Sequence, residues 1–467
     1  LLARYGQCYT GRRAVPRTMP PRRRRSRGSD SDPRPPAIDL VLAGRLWMGG
    51  RLQPMEVGIG DNGRILAVGK NLSGGERHDV GDAVVIPSAV DCHSHFRDPG
   101  GSDAVEHFDS GTRQSALGGI GAAVDMPNTQ PPTTTIDRLE SKVDRAHGRL
   151  AVDVLLYAAL TVPERVAPLS RVAAGFKLYM SPTTDIDPPR LERLPSLLAA
   201  AAATRLPVAV HAEDPRFFRE HTQLEGTEGW NALRPPEAEM EAYERLHPIP
   251  GGLRLHIAHV TLPALASRIF QEGESFEVTP QHLLLSAGRG ADARWKVNPP
   301  LREPPASSEL GEMFQRGLVP ILASDHAPQS AEAKARPFLE APSGMPGAET
   351  MLPLFLARVR DAGLDLPVLL RAVADRPARL LGLPQGRIAV GHRANLLVVD
   401  FRRRTEIRAH DLHAPCGWTA FEGWPAIFPR EHYIDGRLIV KDGEYVGAHE
   451  GRVLRPEFAP GESVPAT

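Results

Sequence analysis

From Ile38 to about Val85, short apolar runs alternate with Gly and Asn-Gly turns, as in Val57-Gly-Ile-Gly-Asp-Asn-Gly-Arg-Ile-Leu-Ala-Val68. That texture predicts β-hairpins, because Asn-Gly readily supplies the left-handed residues of a tight turn. It returns in Ala394-Asn-Leu-Leu-Val-Val-Asp400 and in Tyr433-Ile-Asp-Gly-Arg-Leu-Ile-Val-Lys-Asp-Gly443. The two chain ends, residues 37–86 and 389–452, are therefore expected to pair into one small β-sandwich domain. Between them the pattern changes to eight short apolar segments, at residues 83–90, 121–125, 152–160, 175–179, 207–210, 253–258, 276–278 and 319–323. Several linkers carry helical periodicity, as at 191–203 and 262–270. Eight strands with intervening helices predict an α/β chain whose residues 87–388 form a (β/α)8 TIM barrel, with an open doubly wound sheet as the alternative.

Composition narrows the function classes. The chain has 467 residues, 41% of them hydrophobic, with 56 Lys plus Arg against 56 Asp plus Glu. A net charge of zero gives no bulk attraction to nucleic acid or to an anionic membrane. No apolar run reaches the roughly 20 residues of a membrane-spanning helix. Cys8, Cys92 and Cys416 are too far apart in sequence for a paired framework or a clustered thiolate metal site, which fits a reducing cytoplasm and leaves zinc to other ligands. Residues 1–36, rich in Arg and Pro with the run Arg22 to Arg25, are expected to be a disordered basic arm in which Met19 is an alternative start. Residues 453–467 read as a C-terminal tail.

The polar residues that end the apolar segments carry the chemistry. The first segment runs into Asp91-Cys-His-Ser-His95, where i, i+2 spacing puts His93 and His95 on one strand face. Later segments end in Gly175-Phe-Lys-Leu-Tyr179, His211-Ala-Glu-Asp214, His256-Ile-Ala-His259 and Ser324-Asp-His326. One such histidine alone is best read as a hydrogen-bonded core residue. The recurrence of His, Lys, His, His and Asp at successive strand ends is what a barrel needs to gather ligands at its catalytic rim.

These stretches resemble the dihydroorotase branch of the amidohydrolase superfamily. The resemblance rests on Asp91-Cys-His-Ser-His-Phe-Arg-Asp-Pro-Gly100, Asp125-Met-Pro-Asn-Thr129, Gly175-Phe-Lys-Leu-Tyr179, Glu277-Val-Thr-Pro-Gln-His-Leu283, Lys296-Val-Asn-Pro-Pro-Leu-Arg302, Ser324-Asp-His-Ala-Pro328 and Gly347-Ala-Glu-Thr-Met-Leu-Pro353. It implies two Zn2+ ions: His93, His95 and Asp325 holding one, His211 and His259 the other, with a carboxylated Lys177 and a hydroxide bridging them. An unmodified ammonium has no lone pair for a metal, whereas a carbamate offers two oxygens. The alternative for Lys177 is an ordinary buried lysine paired to a carboxylate.

The resemblance further implies Asp325 as the catalytic acid and base, and Arg97, Asn128 and Asn298 as substrate-binding residues. Arg97 alternatively reads as a surface ion-pair residue beside Asp98. Gln329 and Gln281 stand where the family shows His, and Gln329 is assigned to the substrate side. The implied activity is reversible ring opening of L-dihydroorotate to N-carbamoyl-L-aspartate, in the cytoplasm, by a homo-oligomer whose association with a transcarbamoylase stays open. The alternatives are an allantoinase or dihydropyrimidinase type of hydrolase, or a non-catalytic scaffold for aspartate transcarbamoylase. His107, His221, His247, His256 and His282 are left out of the ligand set because their spacing or block position fails them.

Overall fold

A computed structural model describes residues 37–101, 104–447 and 450–458. The expected basic arm and residues 459–467 lie outside the described residues. Both chain parts build one eight-stranded sheet. β1 (Ile38–Met48), β2 (Arg51–Gly60), β3 (Ile65–Gly69) and β4 (Glu76–Pro87) form one side; Leu396–Val399, Glu431–Ile434, Arg437–Lys441 and Glu444–Tyr445 form the other. The halves join where β4 runs antiparallel to Leu396–Val399, Val85 opposite Val398. The predicted turns supply the hairpins: Gly63 has φ 74°, and Asp435 and Gly436 have φ 48° and 72°. The Ile65 N–H donates to His392 O at 2.8 Å, curling the β2–β3 hairpin back over a shared core of Leu42, Leu46, Val57, Ile59, Val85 and Leu396.

The expected first barrel segment, 83–90, is in fact two strands. β4 stays in the sheet to Pro87, and the barrel begins with β5 (Ala89–Ser94) one residue later. One apolar run feeds both layers, so hydrophobicity does not change at the joint; the buried Ser88 marks it by donating its N–H to Asn395 O at 3.0 Å.

The other barrel strands overlap their predicted segments: β6 (Ile120–Asp125), β7 (Asp153–Ala159), β8 (Gly175–Tyr179), β9 (Pro207–His211), β10 (Arg254–Ile257), β11 (Ser275–Val278) and β12 (Ile321–Leu322). All are parallel neighbours in chain order, with helices such as Leu194–Ala202 and Pro263–Gln271 between them. The wall closes through a parallel bridge from Ser94 to His326 and through Asp91 Oδ1, which accepts the Ser324 N–H at 2.9 Å. Strand residues split between two apolar clusters by alternation. Ala123, Leu156, Leu178 and Val210 pack with helical Leu139, Leu197 and Leu265; Val90, Ala122, Val124, Leu155 and Ala209 fill the interior.

Leu380, Leu381 and Leu383 close the barrel floor. Part of the expected tail straps it: Val453 and Leu454 pair with β7, and the Phe458 ring lies 3.8 Å from the Arg254 guanidinium. Arg393 ties sheet to barrel by pairing with Asp153 and, at 2.7 Å, with Asp435. Among the described residues no helix is long and apolar enough to cross a membrane.

Candidate active site

The six expected ligands all leave strands at the C-terminal rim: His93 and His95 at the end of β5, Lys177 in β8, His211 closing β9, and His259 and Asp325 just beyond β10 and β12. The barrel brings them together. Asp325 Oδ1 lies 3.4 Å from His93 Nε2 and 3.3 Å from His95 Nε2. His211 Nδ1 faces His259 Nε2 at 3.0 Å, and the His93 and His259 ring centres are 5.3 Å apart. Lys177 Nζ stands 3.2 Å from His93 Nε2, against a ring nitrogen rather than in a carboxylate's grip.

Partners from three strand ends fix the proton on three of the ligand rings. His93 Nδ1 meets Glu277 Oε1 at 2.5 Å, His95 Nδ1 meets Asn128 Oδ1 at 2.6 Å, and His211 Nε2 meets Glu213 Oε2 at 2.7 Å. Each partner oxygen accepts, so the nitrogen facing it carries the hydrogen and the opposite nitrogen presents a lone pair to the cluster. Burial, reinforced by Lys177, pushes His93 down to about 4, and burial with Arg97 holds His95 well below its usual value. Both rings are therefore neutral at physiological pH, the form that can ligate.

Proton-free nitrogen and carboxylate atoms crowding at 3.3–3.4 Å repel unless a cation lies between them. Ligands on a zinc ion with bonds of roughly 2.0–2.2 Å stand roughly 3.3–3.6 Å apart, so the donor set fits such an ion. Behind His211, Arg234 clamps Glu213 through contacts of 3.0 and 2.5 Å, with the Phe218 ring 4.1 Å from its guanidinium.

Arg97, His259 and Asp325 have φ of 57°, 40° and 46°. Left-handed backbone at a non-glycine residue costs of order 1–3 kcal/mol, and its concentration at three site residues is typical of a functional centre.

A cavity opens over the cluster, lined also by Arg97, Asn128, Asn298, Tyr179, Thr183 and Ser343. Arg97 is not a surface partner of Asp98. That carboxylate is taken by Arg145 and Arg149, at 2.6 and 2.8 Å, while Arg97 is turned into the cavity and donates to Asn128 O at 3.1 Å. Asn128 is partly committed, because its Oδ1 orients His95. Gln329 lies in an adjoining cavity that shares Arg97 and Asn128, its amide donating to Ser343 O at 3.1 Å. Gln281 lies under the rim, its Nε2 3.5 Å from Ser324 O. His256 is turned to Ser275 and Glu277, and His282 to Thr279 and Pro299 O.

Sequence reading missed Glu277, Glu213 and Arg234: Glu213, two residues past His211, looks like any rim residue, and Glu277 and Arg234 meet their partners across 184 and 21 residues. It also missed Tyr179, whose hydroxyl is buried without a hydrogen-bond partner among the described residues. Its i, i+2 relation to Lys177 was the available signal.

This barrel, with histidines, a lysine and an aspartate gathered on its rim, is the architecture of the amidohydrolase family, whose profile matches residues 84–424; the chain belongs to that family. It is 36% identical over 429 residues to a dihydroorotase from Halobacterium salinarum, covering 89% of this chain and 99% of that one. It is 33% identical over 459 residues to an allantoinase from Rubrobacter xylanophilus, covering 91% and 99%. Among solved structures, L-hydantoinase (dihydropyrimidinase) from Arthrobacter aurescens superposes with a TM-score of 0.82 at 27% identity, covering 89% of this chain and 99% of that one. The chain is thus a hydrolase acting on cyclic amides, with a small molecule as its substrate.

Proposed function

We propose that this hydrolase is a dihydroorotase, opening L-dihydroorotate reversibly to N-carbamoyl-L-aspartate. The observation that carries the reading is Arg97: an arginine free of Asp98, facing the same cavity as the ligand cluster. Its planar guanidinium suits two parallel hydrogen bonds to a ring carboxylate, which dihydroorotate has and hydantoin or dihydrouracil lacks. Relatives carrying the dihydroorotase name, including those from Halobacterium salinarum and Archaeoglobus fulgidus, support it.

His93, His95 and Asp325 would hold one zinc ion, His211 and His259 a second, and Lys177, carboxylated, would join them. When bound, such a pair supplies Lewis acidity toward the amide carbonyl and lowers the pKa of a water held there. The protein's own groups do the rest. Arg97 and Asn298 fix the ring so that one amide carbon faces Asp325. Asp325 takes the proton of the attacking water as its oxygen bonds to that carbon. As the carbon–nitrogen bond breaks, Asp325 returns the proton to the departing ring nitrogen, so one carboxylate serves as base and then acid.

A second reading, hydrolysis of a ring without a carboxylate such as allantoin, is favoured by one feature: Gln329 is neutral and already occupied by Ser343 O. The deciding experiment follows ring opening of L-dihydroorotate, hydantoin, dihydrouracil and allantoin by zinc-loaded protein, with Asp325→Ala as control. Turnover of dihydroorotate that vanishes in the control is expected. Preference for another ring would overturn the assignment and leave the family placement intact.

A further inference from the structure

Asn298 sits on the rim after β11 with its side-chain oxygen already spoken for. Trp230, in the helix Gly226–Leu233, donates its indole N–H to Asn298 Oδ1 at 3.1 Å and to Val297 O at 3.0 Å. Ser343, from a different loop, donates its hydroxyl to the same Oδ1 at 3.2 Å. An indole nitrogen can only donate, so the atom that faces it must be the amide oxygen. The amide's NH2 is left to the cavity that Asn298 lines.

The indole is itself held in place. The Lys296 ammonium lies 4.3 Å and the Arg234 guanidinium 5.4 Å from its ring centre, and Arg234 leads on through Glu213 to His211. One short helix thus supports the ligand cluster and the cavity's polar lining together.

We propose that Trp230 is a positioning residue: by engaging Asn298 Oδ1 it fixes the amide with its two N–H donors toward the substrate, so that this wall reads a hydrogen-bond acceptor, a ring carbonyl oxygen, and rejects an N–H. The inference rests on the reading that Asn298 contacts substrate. Without the indole N–H the amide can rotate half a turn and present an oxygen instead, at which point a carbonyl meets a lone pair.

The test is Trp230→Phe, which keeps an aromatic ring between the two cations and removes the donor. Ser343→Ala and Asn298→Ala accompany it, each alone and combined with Trp230→Phe. Steady-state kinetics use L-dihydroorotate, or whichever ring of the panel above the wild type opens, and metal content is measured alongside. For Trp230→Phe the expected result is a KM raised about five- to tenfold, the size of one neutral hydrogen bond, with kcat within about twofold and metal content unchanged. Ser343→Ala should raise KM less, and the pair together should approach Asn298→Ala. In the Asn298→Ala background, Trp230→Phe should add less than about twofold.

A Trp230→Phe effect that persists in full without Asn298, or a KM that does not move, overturns the proposal. Loss of metal in Trp230→Phe also overturns it, because the indole would then act on the ligands. If Asn298→Ala itself leaves KM unchanged, the substrate-contact reading of Asn298 falls first, a distinguishable failure.

Discussion

Replacing Arg234 by Met isolates the charge that supports His211. Methionine keeps an unbranched apolar stem against Phe218 but leaves Glu213, 0% exposed, with His211 as its remaining partner. Burial alone would raise the Glu213 pKa; Arg234 and then His211 overcome it and hold the carboxyl below the usual range. Unit charges about 4 Å apart at an effective dielectric of about 20 attract by about 4 kcal/mol. Removing one partner of a buried pair costs about 3–5 kcal/mol, since the other charge stays buried. At roughly 2.1 cal/mol/K of unfolding entropy per residue, that is a fall in Tm of about 3–5 °C for a chain of this size.

The pH dependence identifies the cause. A carboxyl with a depressed folded pKa stabilises above its unfolded value, 4.5 here, and loses that contribution as pH falls through the folded pKa. The Tm gap between wild type and variant should be widest near pH 7 and should narrow as the medium becomes more acidic than about pH 4. Adding Glu213→Gln to Arg234→Met should recover more than half of the loss, because no bare charge then remains. Calorimetric scans at matched rates measure all three proteins. An Arg234→Met protein melting within about 1 °C of wild type at pH 7, or a double variant no more stable than the single, would refute the reasoning.

Three further outcomes are expected. Arg97→Met should raise KM for L-dihydroorotate by about 10- to 100-fold, the size of a charge-assisted hydrogen bond, while changing KM for uncharged rings little; steady-state kinetics on both classes check it. Arg393→Met should lower Tm by about 1–3 °C, since it removes charged hydrogen bonds worth about 1.5–3 kcal/mol while Arg452 still donates its backbone N–H to Asp153 at 2.8 Å and pairs with Asp435 at 2.6 Å, with activity at 25 °C retained in the folded fraction; paired melting and activity measurements check it. Burial lowers Lys177 to about 8, and only a neutral amine reacts with CO2. Chelated protein given zinc at fixed dissolved CO2 should therefore regain activity faster as pH rises to about 8 and no faster beyond it, as timed assays would show.

Hydrophobic period carried most of the fold. Segments such as 175–179 and 207–210 were legible because parallel strands buried on both faces read as uninterrupted apolar runs. The Asn-Gly and Asp-Gly hairpins were legible because few residues accept positive φ. Residues 83–90 were misread for the same reason that made them visible: apolarity reports burial, and both β4 and β5 are buried. The strap at Val453–Leu454 gave no signal, being a two-residue pairing inside a polar stretch. In the site, side chains at strand ends could be found by position, as with His93, Lys177 and Asp325. Their partners could not, because Asn128 reaches His95 across 33 residues through the pairing of β5 with β6, and Glu277 reaches His93 across 184 residues through barrel closure.

Those partners explain how the cluster tolerates its own cost. Glu277, Asn128 and Glu213 each hold one ring proton on the side away from the cavity, so the rings arrive with lone pairs inward and need no tautomer change to ligate. Each partner comes from a different strand or its following loop, so no single loop motion can release all three. The same rigidity sustains the left-handed backbone at Arg97, His259 and Asp325, whose strain would relax if the rim were free to move. Folding the barrel therefore orders the ligands, and the substrate-facing groups are tied to them: Arg97 lies two positions from His95, Asn128 is bonded to it, and Asn298 is joined through Trp230 and Arg234 to Glu213. Barrel closure also brings Asp325 within 3.4 Å of His93 and 3.3 Å of His95, so changes at Asp325 and at those two ligands should be non-additive, as for any residues in direct contact.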